Sequence, residues 1–207
     1  MYNSCLRNIV TLFNHIEKER TWRKANGRPA GFEILDVRKP IVAVGAEEPL
    51  AEHRMVADYF HGIDGLGGIH NSHPHISPAE TWKTLFEPAP ESTSPEAVEE
   101  LERVKEQHSL FTPSLTPAHE EILRILKEEE KDTVTIVAVG PLTNLAVAAA
   151  TDPETFLRVK EVVVMSGTID TPGNVSLPSL VYSKKGVLCF SEAVPSLQIS
   201  LLYTPLQ

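Results

Sequence analysis

Two hydrophobic rhythms alternate along the 207-residue chain. Short continuous apolar runs occur at residues 40–44 (PIVAV), 133–139 (TVTIVAV) and 162–165 (VVVM), each ending at Gly or Ser-Gly. Runs of this length, rich in β-branched residues and separated by helical sequence, predict strands of a parallel sheet buried on both faces. Between them the period changes to that of a helix. Leu6, Ile9, Val10, Leu12, Phe13 and Ile16 mark a helical segment that opens the chain, and Ile122, Leu123, Ile125 and Leu126 repeat at helical spacing in a later one. Start signals precede several helices: Ser77-Pro78-Ala79-Glu80 has capping-box form, and Ser94-Pro95, Thr116-Pro117 and Asp152-Pro153 pair a cap with a first-turn proline. Residues 133–165 therefore read as a βαβ unit with a right-handed crossover through 144–150 and 152–159. The fold class is α/β, an open and mostly parallel sheet with flanking helices. From residue 176 the pattern decays, with three charged residues in 32 and no periodicity that specifies an element.

In such sheets ligands bind beyond the carboxyl ends of the strands. The loops after Val44, Val139 and Met165 are then expected on one rim. Four segments carry candidate chemistry. The first is 60–68 (FHGIDGLGG), where four glycines surround Asp64 and follow His61. It reads either as a phosphate cradle or as a structural turn, and it lacks the strand and helix context of a P-loop. The second is 70–75 (HNSHPH), which with His61 brings four histidines close in sequence. It reads as a transition-metal site or, since no cysteine or carboxylate completes the set, as an exposed loop. The third is 140–144 (GPLTN), a tight βα turn in which Thr143 or Asn144 would cap the next helix. The fourth, 166–174 (SGTIDTPGN), is a polar loop after the last strong strand.

Composition narrows the functions. The net charge is −9, from 28 acidic and 19 basic side chains, which disfavours nucleic-acid binding. Residues 91–130 hold 11 acids against 4 bases and read as a solvated helical surface. No apolar run approaches the roughly 20 residues that span a bilayer, so no membrane role is expected. Cys5 and Cys189 form no disulfide framework, and the first residues lack the form of a signal peptide, which together point to a reducing, cytoplasmic setting.

Taken together, the segments resemble a known family. VTIVAVGPLTNLAVAAATDPETFLRVKEVVVMSG looks like the central βαβ segment of the inosine/uridine-preferring nucleoside hydrolases. KPIVAVGAEEPL and FHGIDGLGGIHNSHPHISPAETW are similar to the corresponding parts of fungal members, so that the likeness runs from about residue 3 to 175. The resemblance implies hydrolysis of the N-glycosidic bond of ribonucleosides to ribose and free base. It implies a Ca²⁺ held by several aspartates and one backbone carbonyl, a hard cation that suits oxygen ligands. By the same resemblance Thr143 supplies that carbonyl, His61 stands on the catalytic, leaving-group side, and Asn174 binds ribose. Small-molecule ribonucleosides are the implied partners, and assembly as a homo-oligomer is common in the family.

Departures from the family pattern bear on activity. A DxDxxxDD cluster is absent: Asp36 is the first of only six aspartates. The Glu-Phe-Asn segment expected after Asn174 is replaced by Leu180, Val181 and Tyr182, and no C-terminal His-Asp pair occurs. The expected organisation is a partial hydrolase domain over residues 1–175 and a divergent tail over 176–207, in a chain that reads as a catalytically incomplete fragment. Two other readings stay open: a non-catalytic nucleoside- or ribose-binding α/β module, and an interaction partner of a full-length paralogue.

Overall fold

A computed structural model describes residues 4–50, 62, 64–78, 80–88, 96, 98, 99, 103, 110–165 and 199–202. The chain divides into two compact units, residues 1–44 with 61–116, and residues 45–60 with 117–207.

The first unit is organised by α1 (Ser4–Ala25), the opening helix that the periodicity predicts. Its Leu6 and Val10 are buried, with Val42, Trp82, Leu85, Phe86 and Phe111, in a core that Phe13 and Val44 flank. Aromatic rings fill much of this core. Phe86 stacks on Phe111 at 6.4 Å between centroids, and Phe13 meets Phe111 at 5.0 Å. A one-turn helix α2 (Ile34–Val37) follows, tied to α1 by the Arg20–Asp36 ion pair. Then β1 (Ile41–Val42) pairs in parallel with β2 (Thr112–Pro113), Ile41 opposite Thr112. Between these strands lie α3 (Ile69–Ser72) and 3₁₀ turns at Pro74–Ile76 and Glu80–Phe86. The capping box at Ser77 thus precedes a 3₁₀ segment rather than an α-helix. Of the stretch after Ser94-Pro95, Glu96, Val98, Glu99 and Arg103 are helical, and most of the rest lies outside the described residues.

The second unit contains the βαβ unit. Helix α4 (Ala118–Glu128) begins after Pro117, one residue later than its Thr116-Pro117 signal suggests, and buries Leu123 and Leu126. Strand β3 (Thr135–Ala138) leads into α5 (Thr143–Thr151), α6 (Pro153–Phe156) and β4 (Glu161–Met165). Strands β3 and β4 are parallel, with Ile136 opposite Val162, as the sequence predicts. Asp152 caps α6 as expected, its carboxylate accepting from Thr155 N–H at 3.0 Å and from the Thr155 hydroxyl at 2.7 Å. Strand β5 (Ile199–Leu202) extends the sheet in parallel, Val163 opposite Ser200, and gives the order β3-β4-β5. It falls where the sequence pattern specifies no element.

The core of this unit is built from Val162 and Val164 against Leu123, Leu126, Leu145, Ala148, Ala149 and Phe156, with Ile136 and Ala138 packed beside them. Burial alternates along β3 and β4, so the expectation that both faces are buried holds for one face only. The opposite face carries Val137 and Met165, exposed by 62% and 56%. The strands found are also divided between two sheets, β1 with β2 and β3 with β4 and β5.

Candidate functional site

The βα turn after β3 leads into α5 with Leu142 as its N-cap. The Leu142 carbonyl accepts the first intrahelical bond, from Ala146 N–H at 2.9 Å. Neither Thr143 nor Asn144 caps the helix, which corrects the sequence expectation. No side-chain cap bond forms there, since leucine carries no acceptor, and Asn144 turns to the segment that leaves β1. Its Oδ1 accepts from Ala46 N–H at 2.7 Å, both residues belonging to the second unit. Gly45 makes this approach feasible: a Cβ there would stand 2.8 Å from Asn144 Nδ2. Residues 45–46 and the first turn of α5 therefore meet within the second unit, although β1 and β3 belong to different sheets, while the loop after Met165 lies outside the described residues. Asn144 was not singled out by sequence as a loop anchor. Its partner is 98 residues away, and the only local hint is a glycine at a strand end.

The glycine-rich segment resolves toward the structural reading. Asp64 Oδ1 accepts from Leu66 N–H at 2.9 Å and Gly68 N–H at 2.8 Å, and Oδ2 accepts from His70 N–H at 3.1 Å. The amides that could cradle a phosphate converge on the loop's own carboxylate. Gly68 at φ 81° lets the chain turn into α3 in the left-handed region, and a Cβ on Gly62 would come within 3.0 Å of Gly67 Cα. Burial opposes the charge on Asp64 as the largest single influence. The three amide bonds together outweigh it, so the carboxyl stays below its usual pKa.

His70 is buried directly after this turn, 5% exposed, and both ring nitrogens are paired. Asn8 Nδ2 donates to the Asp64 carbonyl at 2.8 Å, which orients Asn8 Oδ1 toward His70 Nε2 at 2.7 Å. Nε2 must then carry the hydrogen, leaving Nδ1 to accept from the Ser77 hydroxyl at 2.8 Å. Burial, with the positive charge of Arg7 second, holds the His70 pKa below its ordinary value despite the opposing pull of Asp64. This neutral ring joins α1, the glycine loop and the segment before the second 3₁₀ turn. The Ser77 hydroxyl donates here, and the segment after its capping-box signal is 3₁₀. His73 and His75 are exposed, their rings 5.9 Å apart, and His73 Nδ1 meets the Ser72 hydroxyl at 2.9 Å.

The fit to a calcium ion can be tested on these groups. Thr143 is the first residue of α5, so its carbonyl runs along the helix axis with the hydrogen-bond ladder. Asp36 is paired with Arg20, Asp64 is held by three amides, and Asp152 is shared between its cap and Lys127 at 3.1 Å. Among the described residues no three His, Cys, Asp or Glu side chains gather as a metal site. Calcium wants about 6–8 oxygens. The described residues do not fit that requirement. His61 and Asn174, the other two candidate site residues, lie outside the described residues.

A parallel βαβ unit, with Asn144 fastening the segment after β1 to the first turn of α5, defines an α/β protein. Comparison with known proteins narrows the class. The model of the inosine-uridine preferring nucleoside hydrolase family matches residues 9–180, and the chain belongs to that family. An uncharacterized protein of Schizosaccharomyces pombe is 40% identical over 174 residues, covering 83% of this chain and 43% of its own length. Probable uridine nucleosidase 1 of Oryza sativa subsp. japonica is 34% identical over 137 residues, 65% of this chain and 31% of the relative. The inosine-uridine preferring nucleoside hydrolase of Crithidia fasciculata is 30% identical over 135 residues, 65% of this chain and 32% of the relative. The chain thus spans well under half the length of these relatives. Among solved structures, a plant nucleoside hydrolase gives a TM-score of 0.47 at 20% identity, covering 79% of this chain and 41% of the other. No helix among the described residues is long and apolar enough to cross a membrane.

Proposed function

We propose that the whole protein is a nucleoside N-ribohydrolase that splits purine or pyrimidine ribonucleosides into ribose and free base. The observation that carries this reading is the family match over residues 9–180, which includes the Gly45–Asn144 junction between two strand-end loops. Under this reading His61 serves the leaving-group side, Asn174 binds ribose, and the Thr143 carbonyl belongs to the calcium site. Ribonucleosides are the partners, the setting is cytoplasmic, and the assembly is a homo-oligomer. Residues 1–175 make a partial hydrolase domain and 176–207 a divergent tail.

These 207 residues contain no DxDxxxDD cluster, and one carbonyl cannot seat a cation that wants about 6–8 oxygens. The isolated chain is therefore proposed to bind calcium weakly at most and to leave nucleosides intact. Incubation with inosine or uridine and Ca²⁺, followed by detection of free base, tests this. Release at the metal-free background supports it, and faster release contradicts it. The missing carboxylates also favour a second reading, a non-catalytic ribose-binding module or a partner of a full-length paralogue. Calorimetry with the same nucleosides separates the two: metal-independent binding supports the module.

A further inference from the structure

The chain turns back where α1 ends. Gly27 stands at φ 66°, its N–H donates to the Lys24 carbonyl at 3.2 Å, and Arg28 N–H donates to the Arg23 carbonyl at 2.9 Å. That pair of bonds closes the helix at a left-handed glycine and redirects the chain. Three contacts then hold the following segment against the end of α1. The Arg28 guanidinium lies over the Trp22 ring at 5.1 Å, a Cβ on Gly31 would stand 3.6 Å from a guanidinium nitrogen of Arg23, and Asp36 pairs with Arg20. Residues 20–39 therefore form a built surface. They carry six bases against two acids, in a chain of net charge −9. Both acids are engaged within the surface, Asp36 by Arg20 and Glu33 by Gly31 N–H at 2.9 Å.

Large apolar side chains protrude among these bases: Trp22 is exposed by 49%, Phe32 by 50%, Ile34 by 65% and Val37 by 79%. Lys24, Arg28, Arg38 and Lys39 are exposed beside them in sequence. Phe32 sits at φ 56°, which a bulky side chain rarely adopts, so the backbone is strained where this ring meets solvent. We propose that residues 22–39 bind the surface of a bilayer that contains anionic lipid. Bases set among aromatic and aliphatic tips match that boundary: the cations meet lipid phosphates and carboxylates, and the apolar tips enter the headgroup layer. A folded acidic protein would have to supply pockets for four protruding side chains, whereas a fluid interface needs none. Single-stranded nucleic acid is disfavoured as well, since Ile34 and Val37, the most exposed of the four, offer no ring on which a base could stack. The rest of the chain carries −13 and is repelled by the same lipid, which orients the contact. The expectation of no membrane role rests on the lack of a spanning run, and a surface contact needs none.

The inference is independent of the hydrolase reading, and its test needs no turnover. The purified chain is mixed with phosphatidylcholine vesicles, with or without about one-third phosphatidylserine, and the bound fraction is read by co-sedimentation. Binding is expected on the anionic vesicles alone and should weaken at high salt. These vesicles should also shield Trp22 from acrylamide quenching, while Trp82 is already buried. With folding checked by circular dichroism, R38Q/K39Q and I34S/V37S should each bind about tenfold more weakly than the parent. K131Q/K160Q, which removes the same charge at exposed sites outside the surface, should bind like the parent. Absence of binding to anionic vesicles, equal binding to neutral ones, an unshielded Trp22 or an unchanged I34S/V37S variant would each overturn the proposal. So would an equal loss in K131Q/K160Q, or displacement from the vesicles by a single-stranded oligonucleotide or by polyglutamate.

Discussion

Asn144 occupies the space that a side chain on Gly45 would need: its Nδ2 stands 2.8 Å from the position of a Cβ there, while its Oδ1 holds Ala46 N–H at 2.7 Å. The loop after β1 and the first turn of α5 are therefore fitted to each other. Gly45→Ala should destabilise the chain by about 1–3 kcal/mol through overpacking. Asn144→Ala should cost about 1 kcal/mol by removing the acceptor of Ala46. The double variant should be more stable than the sum of the two losses, because the clash vanishes with the amide. Urea denaturation of the four proteins checks this, and strict additivity would show that the contact is not made.

His70 predicts a pH dependence of known sign. Its folded pKa lies below the ordinary 6.5, so the unfolded chain binds the extra proton first as pH falls. Its contribution to stability is fully present above about pH 6.5 and is lost progressively as pH falls toward the folded value. His70→Gln should flatten the stability curve between neutral and mildly acidic pH. Measuring the denaturation midpoint of both proteins across that range decides the matter, and parallel curves would remove His70 as the cause.

Asp64 is predicted to be needed as an anion. Asparagine would keep an acceptor for Leu66 and Gly68 but present an NH₂ to His70 N–H, a donor against a donor. Asp64→Asn should lower stability by about 1–2 kcal/mol, and Asp64→Ala by more. Hydrogen exchange at the Leu66, Gly68 and His70 amides should accelerate in both variants, with His70 affected first in the asparagine form.

Asp152 separates cap from charge. Its hydrogen bonds to Thr155, with Lys127 next, hold its pKa down to about 2. Stability from its charged form is present above the usual carboxylate pKa and is lost as pH falls toward about 2. Asp152→Asn keeps a good N-cap and loses the Lys127 pair, so at neutral pH it should melt closer to the parent than Asp152→Ala. Thermal melts at neutral pH and near pH 3 test both halves. The gap between parent and asparagine variant should shrink in acid.

Much of the second unit was legible in the sequence for a simple reason. Residues 133–139 and 162–165 are β-branched runs that favour a buried strand, and Asp152-Pro153 is a start signal whose bonds are local. What escaped depends on distant partners. Strand β2 is Thr112–Pro113, a polar pair with a proline, which becomes a strand only by pairing with β1. Strand β5 shows neither alternation nor caps and is fixed by β4. Ser77 carried a capping signal yet bonds His70, and that ring is placed by Asn8 62 residues earlier. The four-histidine reading gave no means of telling the buried member from the exposed ones. Of the candidate site, the sequence pointed to residues 140–144 after a strong strand, whereas the choice of Asn144 to hold Ala46, 98 residues away, was not legible.

The proposal to be tested is that these residues match the family over 9–180 yet lack the carboxylates that a calcium ion would need. It is tested most directly by titrating the purified chain with Ca²⁺ in a calorimeter and assaying the same sample for base release from inosine and uridine. No saturable calcium binding is expected at micromolar concentrations, with release indistinguishable from a chelator-treated control. Tight calcium binding accompanied by calcium-dependent release of hypoxanthine or uracil would contradict it.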